Sequence, residues 1–159
     1  ISDAVGIRKA SIHHHFPKKD DLVDELLRRC QVSYGENYES IVDGPDSAPE
    51  KLRKLAGVFQ HGLIMNKLCL VCSISTDKNT LQDSTCMILE SNIKNTVEIF
   101  SHVFKKGREE KTLTFTGTES EAGYAYLSFL VGTQIVARAH GGEELFNKAA
   151  EVVIKALES

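Results

Sequence analysis

The chain has 159 residues, of which 42% are hydrophobic and 26% are charged. This length and composition suit one domain, or one domain with a small appendage, that buries a real hydrophobic core. The formal net charge of -3 argues against a protein that coats nucleic acid, and no apolar run is long enough to span a bilayer. We therefore expect a cytoplasmic protein with no membrane partner.

The charges are unevenly distributed along the chain. Residues 1–30 contain six Lys or Arg and five Asp or Glu, a net charge of +1, whereas residues 31–159 contain 13 and 17, a net charge of -4. A near-neutral N-terminal segment on an acidic body suits a local DNA contact, in which only a few phosphates need a partner.

The first 17 residues have the pattern of a helix-turn-helix. Ile1, Ala4 and Val5 begin an apolar helical face, and Gly6 follows as a residue that readily closes a helix in the left-handed conformation. Ile7 is expected to pack the turn onto the core. A second short helix then opens at Arg8 or Lys9.

In this second helix Ile12 and Phe16 lie four residues apart and share a buried face, and Pro17 ends the helix. So short a helix buries little area, and its outer face carries small, basic and imidazole groups. Such a face suits close approach to phosphates and base edges in the major groove.

The run I-S-D-A-V-G-I-R-K-A-S-I-H-H-H-F-P-K-K-D-D-L resembles the DNA-binding motif of the TetR/AcrR (tetracycline-repressor-like) family from Ile1 to about Leu22 without a gap. Two positions depart from the family pattern, since His13 stands where a Tyr is usual and Ala10 where a Gly is usual. The resemblance implies DNA contacts from Arg8, Lys9, Ala10, Ser11, His13, His14, Lys18 and Lys19.

The resemblance also implies a division of the chain. Residues 1–43 would form the DNA-binding domain with its connecting helix, and residues 44–159 a ligand-binding and dimerisation domain. Family members carry one further helix before this motif, so we expect a Met-initiated precursor in which that helix precedes Ile1.

The body shows helical periodicity separated by clear breaks. A long helix is predicted over 19–42, ended by Gly44 and Pro45, and a second helix follows the cap at Ser47. Further helices are predicted over 68–74, 80–106, from the cap at Thr118 to Gly141, and over 143–157. Ser47 with Glu50, and Thr118 with Glu121, have the spacing of capping boxes. Gly107 is predicted to end the long fourth helix.

Residues 111–116 alternate between apolar and polar, but we interpret them as a connector because no partner strand is visible elsewhere. The predicted fold is therefore all-α, with a helix-turn-helix head on a multi-helix body. It matches the family's nine-helix plan with the first helix absent.

The last two helices are the candidate dimer interface. The first of them is apolar on more than one face, so it must be buried on more than one side, either within one subunit or between two. The resemblance favours a two-fold four-helix bundle, which would hold two reading helices about one DNA turn apart. The predicted interface residues are Leu130, Thr133, Ile135, Val136, Val152 and Ala156.

The resemblance further implies a small apolar or amphipathic effector in a cavity among the central helices. Ordinary core packing is the alternative for each candidate, since periodicity cannot separate core from cavity. The candidates are Phe59, His61, Leu63, Phe100, Phe104, Tyr126 and Phe129.

Two further clusters invite a metal or redox interpretation. The side chains of His13, His14 and His15 point about 100° apart on a helix and cannot share one ion, so we expect His15 to pack in the turn and the other two to face DNA. Cys69 and Cys72 form a C-x-x-C, for which we expect a structural role. A thiol sensor that uses these two residues or Cys86 is the alternative.

No phosphate loop, nucleophile elbow or metal-binding helix motif is present in the sequence. We therefore expect no enzyme, no cofactor and no metal. The predicted function is a bacterial, homodimeric, ligand-responsive transcriptional regulator, by default a repressor that a small molecule releases from a palindromic operator. The alternatives are a helical ligand- or partner-binding module with a degenerate DNA head, and a thiol-based redox-sensing regulator.

Overall fold

The computed structural model describes residues 4, 6 and 8–159. This part of the chain contains a 3-10 turn at Lys78–Thr80 and seven α-helices: α1 Lys9–His15, α2 Lys19–Asp43, α3 Ala48–Ile64, α4 Leu70–Ser75, α5 Asp83–Glu109, α6 Glu119–Ala139 and α7 Gly142–Leu157. The all-α prediction is confirmed. The apolar positions predicted at Ile1, Val5 and Ile7 lie outside the described residues.

The main hydrophobic core lies in the body. It joins Tyr38 of α2 to Phe59 of α3, Phe100 of α5, Leu130 of α6 and Phe146 of α7, all of them buried. Burial of large aromatic and aliphatic side chains is the main favourable term in folding, at about 25 cal/mol per Å² of apolar surface. The second half of α2 is therefore part of the core of the body.

A smaller cluster lies nearer to α1. Val23 and Leu27 of α2 pack with Leu89 of α5, and Val71 and Ile74 of the short helix α4 cover them. Helix α4 thus rests directly on the first half of the connecting helix α2.

The junction between α2 and α3 is held by a buried lysine. Lys51 is 1% exposed, and its Nζ donates a hydrogen bond to the carbonyl of Val42 in the last turn of α2. A cation at a helix C-terminus is favourable because the free carbonyl groups there carry partial negative charge. Helix α2 ends at Gly44 as the sequence predicts.

Helix α3 begins as predicted but without its capping box. Ser47 is the N-cap, yet its side chain makes no capping hydrogen bond. The Glu50 carboxylate instead accepts a hydrogen bond of 2.8 Å from Nη1 of Arg53. This prediction was wrong because a charged partner outside the local pattern competes for the carboxylate.

Helix α5 runs two residues beyond Gly107, so the prediction that this glycine ends the helix was wrong. Lys111 lies in the left-handed region with φ 58, and the N–H of Thr112 donates to the Gly107 carbonyl at 2.8 Å. This pattern is the Schellman motif. Gly107 is required for a different reason, since an added Cβ would lie 2.5 Å from Leu113 Cδ1.

The segment after α5 is a connector, as predicted. Its one pairing is an isolated antiparallel bridge between Leu113 and Glu158, where Thr114 N–H donates to the Leu157 carbonyl at 2.7 Å. The capping box at α6 is confirmed, since Glu121 N–H donates to Thr118 Oγ1 at 3.2 Å and Thr118 N–H donates to Glu121 Oε2 at 2.7 Å.

Candidate nucleic-acid interface and central cavity

Helix α1 is short and almost wholly exposed. Gly6 has φ +67, the left-handed conformation predicted for the turn, and Arg8 is the extended N-cap of α1. Ile12 and Phe16 are half-buried, and α1 contains no fully buried residue. The two apolar side chains therefore form its inner face, as predicted.

The outer face of the head is positively charged. Residues 8–19 contain four Lys or Arg and no Asp or Glu. Within the part of the chain that the structure describes, the ion pair nearest the N-terminus is Asp24 with Arg28, 3.9 Å apart. The four cations thus have no protein counter-ion there, and all eight predicted DNA-contact residues are exposed, namely Arg8, Lys9, Ala10, Ser11, His13, His14, Lys18 and Lys19.

The start of α2 is held in place by one local hydrogen bond. Lys18 N–H donates to Asp21 Oδ2 at 2.9 Å, which satisfies the backbone at this turn and fixes how α2 leaves the head. Asp20 and Asp21 in this first turn already supply the negative charge that a helix N-terminus favours. Phosphate contacts here therefore depend on the lysine side chains.

The three consecutive histidines form no metal centre. Among the described residues no group of three His, Cys, Asp or Glu could hold a metal ion. His15 is exposed, so the prediction that it packs in the turn was wrong. Its ring meets that of His14 edge-on, with centroids 5.4 Å apart, because the half-buried Ile12 and Phe16 already occupy the inner side of the turn.

A cavity of about 70 Å³ lies in the body where α2, α3, α4, α5 and α6 meet. Such a volume holds roughly five water molecules, or a small organic molecule. Apolar, amide, phenol and thiol side chains share the wall, which includes Cys30, Tyr34, Tyr38, Val58, Phe59, Cys69, Cys72, Asn95, Ile99, Leu127 and Gln134.

The structure does not gather the seven candidate effector residues at one site. Phe59 lines the cavity. Phe100, Phe104 and Tyr126 pack against one another in the core, where the Tyr126 hydroxyl donates to the Leu52 carbonyl at 2.7 Å. Phe129 stacks on Tyr126, with ring centroids 6.2 Å apart, and borders with Phe104 and Tyr126 a surface groove formed with α7 and the connector. His61 is exposed and Leu63 is half-buried.

The sequence missed the polar wall of this cavity. Tyr34 and Tyr38 belong to a helix that was expected only to connect the head to the body, and Gln134 lies among apolar neighbours. The C-x-x-C at Cys69 and Cys72 was visible, but nothing in the sequence places those thiols beside Tyr38.

Gln134 organises one side of the cavity. It is 2% exposed; its Oε1 accepts the Cys69 N–H at 2.9 Å and its Nε2 donates to the Phe59 carbonyl at 2.8 Å. Each of these buried groups would cost about 1–3 kcal/mol if it were left without a partner. One amide thus joins α6 both to α3 and to the segment that begins α4.

The cavity thiols differ in acidity. The pKa of Cys69 is lowered to about 7 by a hydrogen bond from the Cys72 side chain and by the backbone N–H groups of Cys72 and Val71, which outweigh the opposing effect of burial. The pKa of Cys72 is raised, chiefly because its proton is held by Cys69. Burial raises the pKa of Cys30 to about 11.

The predicted dimer residues divide into two groups. Ile135 is 51% exposed and Val152 is 68% exposed; Val136 and Ala156 are also exposed, and Thr133 is half-buried. Leu130 is 0% exposed because it lies in the core of its own subunit. The exposed apolar side chains form part of the outer surface of α6 and α7.

In the part of the chain that the structure describes, none of the helices is long and apolar enough to cross a membrane. No protein-family model matches the chain. The HTH-type transcriptional repressor KstR2 of Mycobacterium tuberculosis (strain ATCC 25618 / H37Rv) is 41% identical over 59 residues, which are 37% of this chain and 28% of that protein. The chain therefore matches little more than a quarter of this relative's length.

Solved structures extend the similarity along the whole chain. A TetR-family transcriptional regulator from Agrobacterium tumefaciens matches 99% of this chain and 84% of its own, with a TM-score of 0.91 and 23% identity. A TetR transcriptional regulator from Legionella pneumophila matches 99% and 83%, with a TM-score of 0.83 and 21% identity. The resemblance to TetR/AcrR-type regulators is confirmed, and the chain has their all-α fold.

Proposed function

We propose that this chain is the DNA-reading and effector-binding part of a ligand-responsive transcriptional repressor that acts as a homodimer in the bacterial cytoplasm. The observation that carries the proposal is the exposed basic surface of residues 8–19, a stretch that contains four Lys or Arg and no Asp or Glu. A relative that is named as a repressor of the helix-turn-helix type supports it.

The DNA contacts follow from the chemistry of the head. Lys9 and Lys19 pair with phosphates and supply affinity that depends little on sequence. Ser11 and His14 lie on the exposed face of α1 and supply contacts to base edges in the major groove. A duplex operator, palindromic in a two-fold dimer, is the expected partner.

The dimer is proposed to form through the outer faces of α6 and α7. Ile135, Val136 and Val152 are exposed apolar side chains, and an exposed apolar patch is typical of an interaction surface. A two-fold axis there would double the number of phosphate contacts and fix the spacing of the two heads. Leu130 would support this surface from inside its own subunit.

The cavity and the head are linked through α2 and α4. Tyr34 and Tyr38 place the second half of α2 in the cavity wall, and Val71 of α4 packs against the first half of α2. A small molecule in the cavity would change how α4 and α2 pack, tilt α2, and alter the spacing of the two heads. A coupling free energy of about 1–3 kcal/mol would be enough for release from DNA.

The test is selection of duplexes from a random DNA library by the intact protein, followed by gel-shift titration of the enriched sequence and of a shuffled copy. We expect a palindrome with half-sites about one helical turn apart to be enriched and retarded. The matched control is Lys94→Ala, an exposed lysine of α5 outside the head, which should bind like the unaltered protein.

Failure to enrich any sequence, while sedimentation shows intact dimers, would overturn the proposal. That outcome would favour a helical ligand- or partner-binding module with a degenerate head.

A further inference from the structure

We propose that the central cavity is a covalent docking site for small electrophiles, specifically α,β-unsaturated carbonyl compounds, which attach to the sulfur of Cys69. The inference rests on the proposed function, because it assigns a chemical class to the effector of that regulator.

The first observation is the gathering of thiols. The chain has four cysteines, all of them free, and three of them line this cavity. Cys30 comes from α2, whereas Cys69 and Cys72 flank the start of α4. The fourth, Cys86, lies outside the cavity and points its Sγ at the Lys78 carbonyl, 3.8 Å away. Thiols that are distant in the sequence thus line one cavity.

The second observation is that the three thiols differ in acidity, so that only one of them is ionised at neutral pH. Cys69 is the N-cap of α4, where Cys72 and two backbone N–H groups stabilise its thiolate and lower its pKa to about 7. Cys30 and Cys72 stay protonated at neutral pH, since the pKa of each is raised. One sulfur is therefore the nucleophile, because thiolates and not thiols attack carbon.

The third observation is the fit of the cavity to a small, mostly apolar molecule. Val58, Ile99 and Leu127 present hydrocarbon, and the Tyr34 and Tyr38 side chains present phenols on the α2 side. An enone has the matching chemistry, with a hydrocarbon part and one carbonyl oxygen that accepts a hydrogen bond. The cavity has a volume of about 70 Å³, which holds roughly five water molecules. The ligand is therefore limited to roughly five non-hydrogen atoms.

The reaction is a conjugate addition that needs no oxidant. The Cys69 sulfur, whose proton has gone to solvent, forms a carbon–sulfur bond to the β-carbon of the enone. The electron pair of the carbon–carbon double bond moves to give an enolate, and the α-carbon then takes a proton from solvent. The net result is a thioether and a saturated ketone, with no group lost.

An adduct at Cys69 acts where the cavity is tied to the rest of the fold. The backbone N–H of this residue donates to Gln134, and α4 begins at the next residue and packs through Val71 and Ile74 on the first half of α2. An adduct on the sulfur would therefore displace the hydrogen bond to Gln134 and the packing of α4 on α2. Because α2 carries the head, the position of the head would change as well.

The experiment treats the intact protein with methyl vinyl ketone, which is about the size of the cavity, and uses butanone as the saturated control. Intact-mass and peptide mass spectrometry follow the adducts with time. We expect Cys69 to be modified first, about tenfold faster than an ordinary thiol at pH 7. Cys69→Ser should abolish this fast phase, whereas the matched variant Cys86→Ser should retain it.

Separate measurements follow the folding of each variant and its affinity for DNA. Ser is a favourable N-cap, so Cys69→Ser should melt like the unaltered protein, and its circular dichroism checks this. Hydrogen exchange along residues 19–43 should rise in the adduct and not in treated Cys69→Ser. On the enriched operator, the adduct should bind at least about fivefold more weakly, in line with the coupling range of allosteric systems.

Three results would overturn the inference: equal modification of all four cysteines, first modification at Cys86, or an adduct at Cys69 that leaves operator affinity unchanged. A different result would overturn the proposed function, namely that the untreated protein shows no sequence-specific DNA binding. In that case fast modification of Cys69 would still establish the reactive site.

Discussion

The head and the body of this chain use their residues in opposite ways. The body buries aromatic and aliphatic side chains from α2, α3, α5, α6 and α7 in one core, whereas α1 has no fully buried residue. Substitutions in the body therefore act first on stability. In the head the side chains are left exposed for a partner, so substitutions there should act on binding with little effect on folding.

The largest effect is expected at Leu130, which was predicted to lie in the dimer interface but is fully buried in its own subunit. Leu130→Ala should destabilise the fold by about 3 kcal/mol, since it removes buried hydrocarbon and leaves a cavity. Urea unfolding at a fixed protein concentration measures this. Ser128→Ala, at an exposed position of the same helix outside the proposed interface, is the control and should change stability by less than about 0.5 kcal/mol. Dissociation of the dimer without loss of stability in Leu130→Ala would contradict this assignment.

Substitutions on the outer face of α6 and α7 should weaken the dimer and leave the fold of each subunit intact. Ile135→Asp with Val152→Asp should leave the helical content unchanged and raise the dimer dissociation constant by about a hundredfold, because charges would be buried between subunits. Sedimentation velocity across a concentration series measures this. Met87→Asp introduces one such charge at an exposed apolar position of α5 and should leave the dimer intact. Equal dissociation of the two proteins would place the interface elsewhere.

In the head, Lys9→Ala should weaken binding to operator and random DNA alike by about 1 kcal/mol, and reduce the slope of log affinity against log salt by about one. Ser11→Ala and His14→Ala should instead change which base pairs are preferred. Gel-shift titration at several salt concentrations separates the two classes. An equal loss on every DNA for all three variants would mean that α1 does not read bases.

The smallest effect is expected at the ion pairs between α3 and α7. Arg53 Nε and Nη2 donate to the Glu151 carboxylate at 3.1 Å and 3.0 Å, and this guanidinium lowers the pKa of Glu151 below 4.5. The stabilisation is thus present above pH 4.5 and is lost as pH falls through the lower folded-state value. Because both side chains are partly exposed to solvent, Arg53→Gln should lower stability only slightly at pH 7.

That difference between Arg53→Gln and the unaltered protein should shrink as the pH falls and the carboxylate partner of Arg53 is protonated. Urea unfolding of both proteins at pH 7 and at pH 3 tests the point. A difference as large at pH 3 as at pH 7 would show that Arg53 acts through packing of its side chain and not through charge.

Local spacing predicted local structure well. The Thr118–Glu121 capping box is present as expected, because both partners lie within one helical turn and no other group competes for them. The Ser47–Glu50 pattern is identical in spacing, yet it fails because Arg53 pairs with the glutamate. Likewise, Gly107 is needed for the close approach of Leu113, a contact that spacing along one helix cannot show.

The head was the easiest part to predict, and its eight proposed contact residues stay predictions until DNA binding is measured. The cavity was the hardest part. Phe59 is the one residue proposed for an effector that the structure places in its wall, because aromatic residues at helical spacing have the same pattern whether they line a cavity or fill a core.

The order of amino acids alone determined that this protein is helical, where most of its helices begin and end, and that a short basic helix follows the turn at Gly6. These properties depend on residues within a few positions of one another. The tertiary structure alone decided that Leu130 faces inward while Ile135 faces solvent, and that Cys30 meets Cys69 and Cys72 around one cavity. Those outcomes depend on how helices far apart in the chain pack together, and a periodic pattern carries no information about that.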